Sequence, residues 1–327
     1  MKKKISWVKL AGMLLLLFLV VVTVGCAERN GTPADTDNHA EQEEPEAKTT
    51  EKVQLFVGSK ETTEQLIMGQ ISVLLLEEAG FEVLDKTGLG DTRAVRKALE
   101  EEEIDLYWEY TGTAWKSHLG YEDTFTDSWQ GYDRVQEEDR QNGVAWLDYT
   151  PFNNTYALLM RQEDAEQLKI SSISDLAEAI EQDEQPLGEW VLATNHQYVV
   201  VEDKLSRLKE TYGLEFDEVQ VMDQDDIYRA LKDGDVLVGV GMATSGFVAG
   251  FDLVSLVDDQ QFHPAYNCAP TLREETLEQH PEIEETLNQV ISLLDDKTMS
   301  RLNAAVELDG QEPVEVAREW LETEGLL

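Results

Sequence analysis

From residue 53 onward, short β-rich runs alternate with runs of helical spacing. Val53–Val57 reads as a strand. Over Thr63–Gly80 the apolar residues Leu66, Ile67, Ile71, Leu74 and Leu75 recur at three- and four-residue intervals, which predicts a helix stopped by Gly80. Phe81–Asp85 predicts a second strand, Thr92–Glu102 a helix, and Ile104–Tyr110 an aromatic-rich strand that ends in a Thr111-Gly112-Thr113 turn. Such βαβαβ alternation argues an α/β fold with a largely parallel sheet and helices on both faces. Tyr149–Met160, Trp190–Ala193, Glu218–Met222, Val236–Val240 and Leu253–Leu256 follow as strand candidates. Between them lie predicted helices over Ser174–Ile180, with Ser174 as N-cap, over Tyr198–Tyr212, and over Asp225–Lys232. The C-terminal part reads as four helices: Arg273–His280, Ile283–Leu294, Asp296–Leu308 and Pro313–Glu324.

The N-terminus differs in kind. Lys2, Lys3, Lys4 and Lys9 precede a largely apolar run from Leu10 to Val24, and Gly25-Cys26 follows. The run is too short for a spanning helix, which takes roughly 20 residues, so residues 1–25 read as a secretory signal peptide. An uncleaved membrane anchor is the alternative. Gly25-Cys26 resembles a bacterial lipobox, which implies lipidation of Cys26 and a place on the extracytoplasmic face of the bacterial cell membrane. Residues 26–51 are rich in Glu, Asp, Thr, Asn and Pro and hold almost no large apolar side chain, so they read as a lipidated acidic tether.

Charge narrows the function classes. With 26 Lys and Arg against 67 Asp and Glu, the formal net charge is −41, which repels phosphate backbones and excludes a nucleic-acid partner. The acidity suits a solvated surface in a saline or alkaline habitat, or the attraction of cations. Runs such as Glu100–Glu103 and Glu137-Glu138-Asp139 read as helix faces and caps. Cys26 and Cys268 are the only cysteines, which leaves no disulfide framework, and Cys268 reads as a buried, inert thiol. The five histidines are scattered, and no Gly-x-Ser-x-Gly or His-Glu-x-x-His occurs, so no catalytic residue, metal site or cofactor is expected.

Candidate chemistry concentrates at Asp105-Leu106-Tyr107-Trp108-Glu109-Tyr110-Thr111-Gly112-Thr113-Ala114-Trp115, where four aromatics fall within nine positions. Rings and hydroxyls at the mouth of a strand suit a small organic cation that rests on ring faces. A core strand with a Thr-Gly turn is the alternative. The segment keeps particular company: Val57-Gly58-Ser59-Lys60, Thr63-Glu64-Gln65, Thr87-Gly88-Leu89-Gly90-Asp91-Thr92, Asn153-Asn154-Thr155-Tyr156-Ala157-Leu158 and Pro264-Ala265-Tyr266-Asn267-Cys268-Ala269-Pro270. In this order and spacing, over residues 53–325, these motifs resemble the substrate-binding lipoproteins of ABC importers for glycine betaine, choline and carnitine.

The resemblance implies a two-lobed type II periplasmic-binding-protein fold with the ligand cleft between the lobes. Residues 52–153 plus 263–327 would form lobe 1 and residues 154–262 lobe 2. It implies a quaternary ammonium ligand caged by Tyr110, Tyr156 and Tyr266, and a permease partner in the membrane. Met242 stands where relatives carry a further tyrosine, and Tyr198 is the candidate replacement ring. Lys60 and Thr113 match positions that meet a ligand carboxylate. Val201 falls where relatives often carry an arginine, which favours a cation without a carboxylate. Alternatives are a same-fold protein for another small cation or zwitterion, and a ligand-sensing lipoprotein.

Overall fold

The computed structural model describes residues 52–182, 187–201 and 203–327. The signal peptide expected over residues 1–25, the tether expected over 26–51 and the lipidation expected at Cys26 lie outside the described residues. Ten strands are assigned among those described: β1 (Gln54–Gly58), β2 (Glu82–Lys86), β3 (Leu106–Tyr110), β4 (Val144–Trp146), β5 (Tyr156–Arg161), β6 (Val191–Thr194), β7 (Glu218–Val221), β8 (Val238–Met242), β9 (Leu253–Ser255) and β10 (Cys268–Arg273). They form two five-stranded sheets, ordered β2-β1-β3-β10-β4 and β7-β6-β8-β5-β9.

Both sheets are mixed rather than largely parallel. β1 runs parallel to β2 and β3, but β10 is antiparallel to both β3 and β4. β6 runs parallel to β7 and β8, while β5 is antiparallel to β8 and β9. The reason is the path of the chain. It leaves the first sheet near Thr150 and returns near Asn267, so β10 enters beside the end of β3, with Cys268 opposite Tyr110. The outgoing and returning segments touch through an antiparallel bridge between Asn153 and Asn267. Thr150 N–H donates to the Cys268 carbonyl at 2.8 Å, and Asn154 N–H to the Tyr266 carbonyl at 3.3 Å.

Each sheet is covered on two faces. Helix Thr63–Glu78 is buried on nearly every side, because the first sheet lies under it and helices Asp296–Glu307 and Pro313–Glu324 lie over it. Ile67, Met68, Ile71 and Leu76 on that helix pack with Leu55, Val57 and Trp108, each fully buried Leu or Ile contributing about 1.5–3 kcal/mol. The opposite face of the sheet packs Val95, Leu99, Tyr107, Trp115 and Trp146. The second sheet separates a cluster around Leu158, Trp190 and Leu192 from one around Leu159, Ile227 and Leu231.

Several local expectations are corrected. The helix predicted over Ser174–Ile180 spans Ile173–Glu181 and is capped by Ser172, because only Ser172 completes a reciprocal box with Asp175. The predicted helix Tyr198–Tyr212 is two, His196–Val200 and Lys204–Tyr212. Val201 turns extended and Asp203 takes a φ of +52°. The segment predicted as Ile283–Leu294 splits into helix Glu282–Asn288 and a 3-10 turn at Ile291–Leu293. After β3 the chain does not simply turn. Thr111–Thr113 begins a helix that widens into a π-helix over Ala114–His118. Strand β4 and helix Gln162–Leu168 carry no clear period and were not expected, and of helix Ser128–Arg140 only the run Glu137-Glu138-Asp139 was read as helical. Asp139, read as part of a solvated run, is fully buried and accepts two hydrogen bonds from Arg96, at 2.8 and 2.6 Å.

Candidate functional site

The predicted site residues gather where strand ends meet the two crossings. Tyr110 ends β3, Tyr156 opens β5, Met242 ends β8, and Tyr266 lies two residues before β10. Tyr156 and Met242 face each other in the β5–β8 register.

Around Tyr110 the contacts are dense. Its hydroxyl donates to the Glu64 carboxylate at 2.5 Å, and the side-chain amides of Asn154 and Asn303 donate to the same carboxylate at 2.9 and 3.0 Å. Burial and the neighbouring Glu64 push the Tyr110 hydroxyl well above the usual tyrosine range, so it stays protonated. The Asn303 amide also donates to the Thr244 carbonyl at 2.7 Å, so Glu64 lies where residues of both sheets' surroundings converge. Tyr266 closes in from the return crossing. Its N–H donates to Asn153 Oδ1 at 2.7 Å, and its ring lies so near Gly112 that an added Cβ there would meet Cε1 at 2.6 Å. Gly112 is the residue type that admits this ring.

Lys60 does not stand free. Its ammonium pairs with the buried Glu109 carboxylate and lies 4.9 Å from the Tyr110 ring centroid. Glu109 also meets His118 Nε2 at 2.9 Å and the Tyr107 hydroxyl at 3.2 Å. The π-helix is what brings His118 back to it. Burial works to raise the Glu109 carboxyl, but the Lys60 charge and the His118 contact outweigh it and hold the carboxyl below its usual range. Thr113 is half-buried within the short helix after β3.

A second group surrounds Tyr156. The Tyr198 ring meets it edge-on at 5.1 Å between centroids, and Lys204 Nζ lies 5.5 Å from the Tyr156 centroid. Tyr198 is fully buried while Tyr156 is half-buried, so Tyr198 backs the Tyr156 ring instead of offering a face of its own. Val201 is exposed at the end of helix His196–Val200.

The structure thus joins Lys60, Tyr110 and Tyr266 in one cluster and Tyr156, Tyr198 and Met242 in another, with the crossings between them. Sequence reasoning did not single out the roles of Glu64, Glu109, His118, Asn154 or Asn303. Glu64, Glu109 and Asn154 sit inside the quoted motifs, so a signal existed for them. Asn303 had none, because it comes from a helix distant in the chain. No nucleophile is primed here: burial pushes the Cys268 thiol well up. Among the described residues no group of His, Cys, Asp and Glu could hold a metal ion, and no helix is long and apolar enough to cross a membrane.

The family described as the substrate binding domain of ABC-type glycine betaine transport system matches residues 53–323. The glycine-betaine-binding protein of Pseudomonas aeruginosa is 39% identical over 279 residues, covering 84% of this chain and 88% of that protein. The solved structure of apo YehZ from Escherichia coli matches with a TM-score of 0.78 at 31% identity, covering 85% of this chain and 100% of that one. A glycine betaine/carnitine/choline ABC transporter structure matches with a TM-score of 0.75 at 26% identity, covering 83% and 99%.

Proposed function

Because this chain belongs to the family of substrate-binding domains of ABC-type glycine betaine transport systems, we propose that it captures a quaternary ammonium solute of the glycine betaine, choline or carnitine class in a cage of Tyr110, Tyr156 and Tyr266. It is an extracytoplasmic solute-binding protein with a two-lobed α/β fold, not an enzyme.

A quaternary ammonium has no N–H to donate, so it is held by ring faces, each worth about 0.5–2 kcal/mol. The observation that carries the reading is the convergence of three tyrosines on the crossings: Tyr266 against Gly112, Tyr110 bonded through Glu64 to Asn154, and Tyr156 two residues beyond Asn154. Residues 52–153 plus 263–327 act as one lobe and 154–262 as the other. Ligand bridging them shifts the open–closed equilibrium toward closed, and the closed form docks on a membrane permease. Cys26 carries the lipid that tethers the protein, and Cys26→Ala removes fatty-acid labelling.

Titration calorimetry with glycine betaine, choline, carnitine and a panel of amino acids tests the reading. Saturable heats for at least one methylated ammonium compound, and none for the amino acids, are expected. Binding to amino acids alone overturns it. A second reading, another small cation or zwitterion, is favoured by one observation: opposite Tyr156 stands the thioether of Met242, which has no ring.

A further inference from the structure

Behind the Tyr156 ring runs a chain of hydrogen bonds, buried at Tyr198 and His263 and partly exposed at Asp258, that the ligand reading leaves unused. The Asp258 carboxylate accepts from the N–H groups of Phe262 and His263, at 2.9 and 2.7 Å, and from the Tyr212 hydroxyl. It also meets His263 Nδ1 at 2.9 Å, and His263 Nε2 meets the Tyr198 hydroxyl at 2.8 Å. A carboxylate only accepts, so Nδ1 carries the proton; in the neutral ring Nε2 then accepts from Tyr198. The Tyr198 ring in turn meets Tyr156 edge-on. His263 and Tyr198 are buried, and Phe262 closes on the imidazole at 5.1 Å with the rings perpendicular.

The chain reaches the return crossing as well. His263 is followed by Pro264 and Ala265, whose N–H donates to the Phe125 carbonyl at 2.9 Å, and then by Tyr266. One hydrogen-bonded unit therefore backs the Tyr156 ring and fixes the backbone three residues before Tyr266.

We propose that Asp258 and His263 are positioning residues that hold the Tyr156 ring, through Tyr198, in the orientation in which it meets the ligand cation. The inference rests on the cage reading. A ring face attracts a cation only over its centre, so a tilted Tyr156 keeps its bulk and loses its pull. Tyr198→Phe removes one hydroxyl and frees the ring to rotate. His263→Ala removes the acceptor.

The test is a set of calorimetric affinities for glycine betaine and choline in wild type, Tyr198→Phe, His263→Ala and the double variant, with urea midpoints for each. Each single change should weaken binding about three- to tenfold, and the double variant should be no weaker than the weaker single, since both cut one chain. His263→Gln, whose amide oxygen can accept from Tyr198, should recover most of the affinity. In a Tyr156→Leu background, Tyr198→Phe should change nothing further. Wild-type affinity in Tyr198→Phe, or losses that multiply in the double variant, overturns the proposal. A ligand-free measurement separates this from failure of the cage reading: the imidazole nitrogen resonances of His263 should report a proton on Nδ1 and a hydrogen-bonded, bare Nε2 that shifts in Tyr198→Phe. Wild-type protein that binds none of these compounds overturns the proposed function, and the Asp258–His263–Tyr198 chain is then decided by that spectrum. A proton on Nε2 with Nδ1 bare overturns it.

Discussion

The Lys60 ammonium and the Glu109 carboxylate form an ion pair sealed from solvent, with 5% and 0% of the two residues exposed. The pair lies beside the Tyr110 ring, so any ligand carboxylate that approaches Lys60 competes with Glu109 for it. A buried pair is costly to break from one side, because the partner is left as an unpaired charge.

Lys60→Met is therefore expected to lower stability by about 3–5 kcal/mol in urea denaturation. Lys60→Met with Glu109→Gln should recover much of that loss, since His118 and Tyr107 still meet the residue-109 side chain. A single variant as stable as wild type would show that the pair contributes no more than a surface bridge.

Replacing Tyr110, Tyr156 or Tyr266 with Leu keeps apolar bulk and removes the ring. A loss of about 1–2 kcal/mol, or roughly five- to thirtyfold in affinity, is expected for each by calorimetry. Gly112→Ala reaches the same end from the backbone, because its Cβ would sit 2.6 Å from Tyr266 Cε1 and the ring must move. Unchanged affinity across all four variants removes the cage.

Asp296 gives a pH signature. Burial raises its carboxyl from 3.8 to about 6, against the hydrogen bond from the Asn153 N–H and with help from Asp295 and Glu64. A raised carboxyl favours folding while protonated, so this contribution is whole below pH 4 and is lost as pH rises through about 6. Asp296→Asn keeps an acceptor for Asn153 and carries no charge. It should be more stable than wild type at pH 7 by about 2–3 kcal/mol, with the gap closing toward pH 4. Denaturation midpoints of both proteins across that range check it, and a gap independent of pH refutes it.

Val201→Arg offers a planar fork to a ligand carboxylate. It should move the ratio of glycine betaine to choline dissociation constants toward the betaine, by up to roughly 1.5–3 kcal/mol if the guanidinium is desolvated. Val201 is 38% exposed, so a side chain directed away from the ligand leaves the ratio where it is, which would separate residue 201 from the site.

Periodicity and motif order alone determined much about this protein. Helix Thr63–Glu78 and strand β3 were legible because helical spacing, aromatic density and Gly-Ser punctuation are local properties of the chain, whereas Tyr110, Tyr156 and Tyr266 were singled out only by the family resemblance. Register and pairing were not local. β10 runs antiparallel because the chain returns beside the end of β3, and Cys268 comes opposite Tyr110 across more than 150 positions of sequence. The π-helix after β3 was hidden for the same reason: what it achieves is a contact between His118 and Glu109. Asp139, one acid in an acidic run, is told apart from its neighbours only by the partners it meets in the fold, Arg96 and Trp146. Lys60 reads in sequence as a cation for a ligand carboxylate, and only packing assigns it to Glu109. Sequence sets what each residue can do; which charges are already neutralised, and which rings are backed by others, depends on residues far apart in the chain that burial brings together.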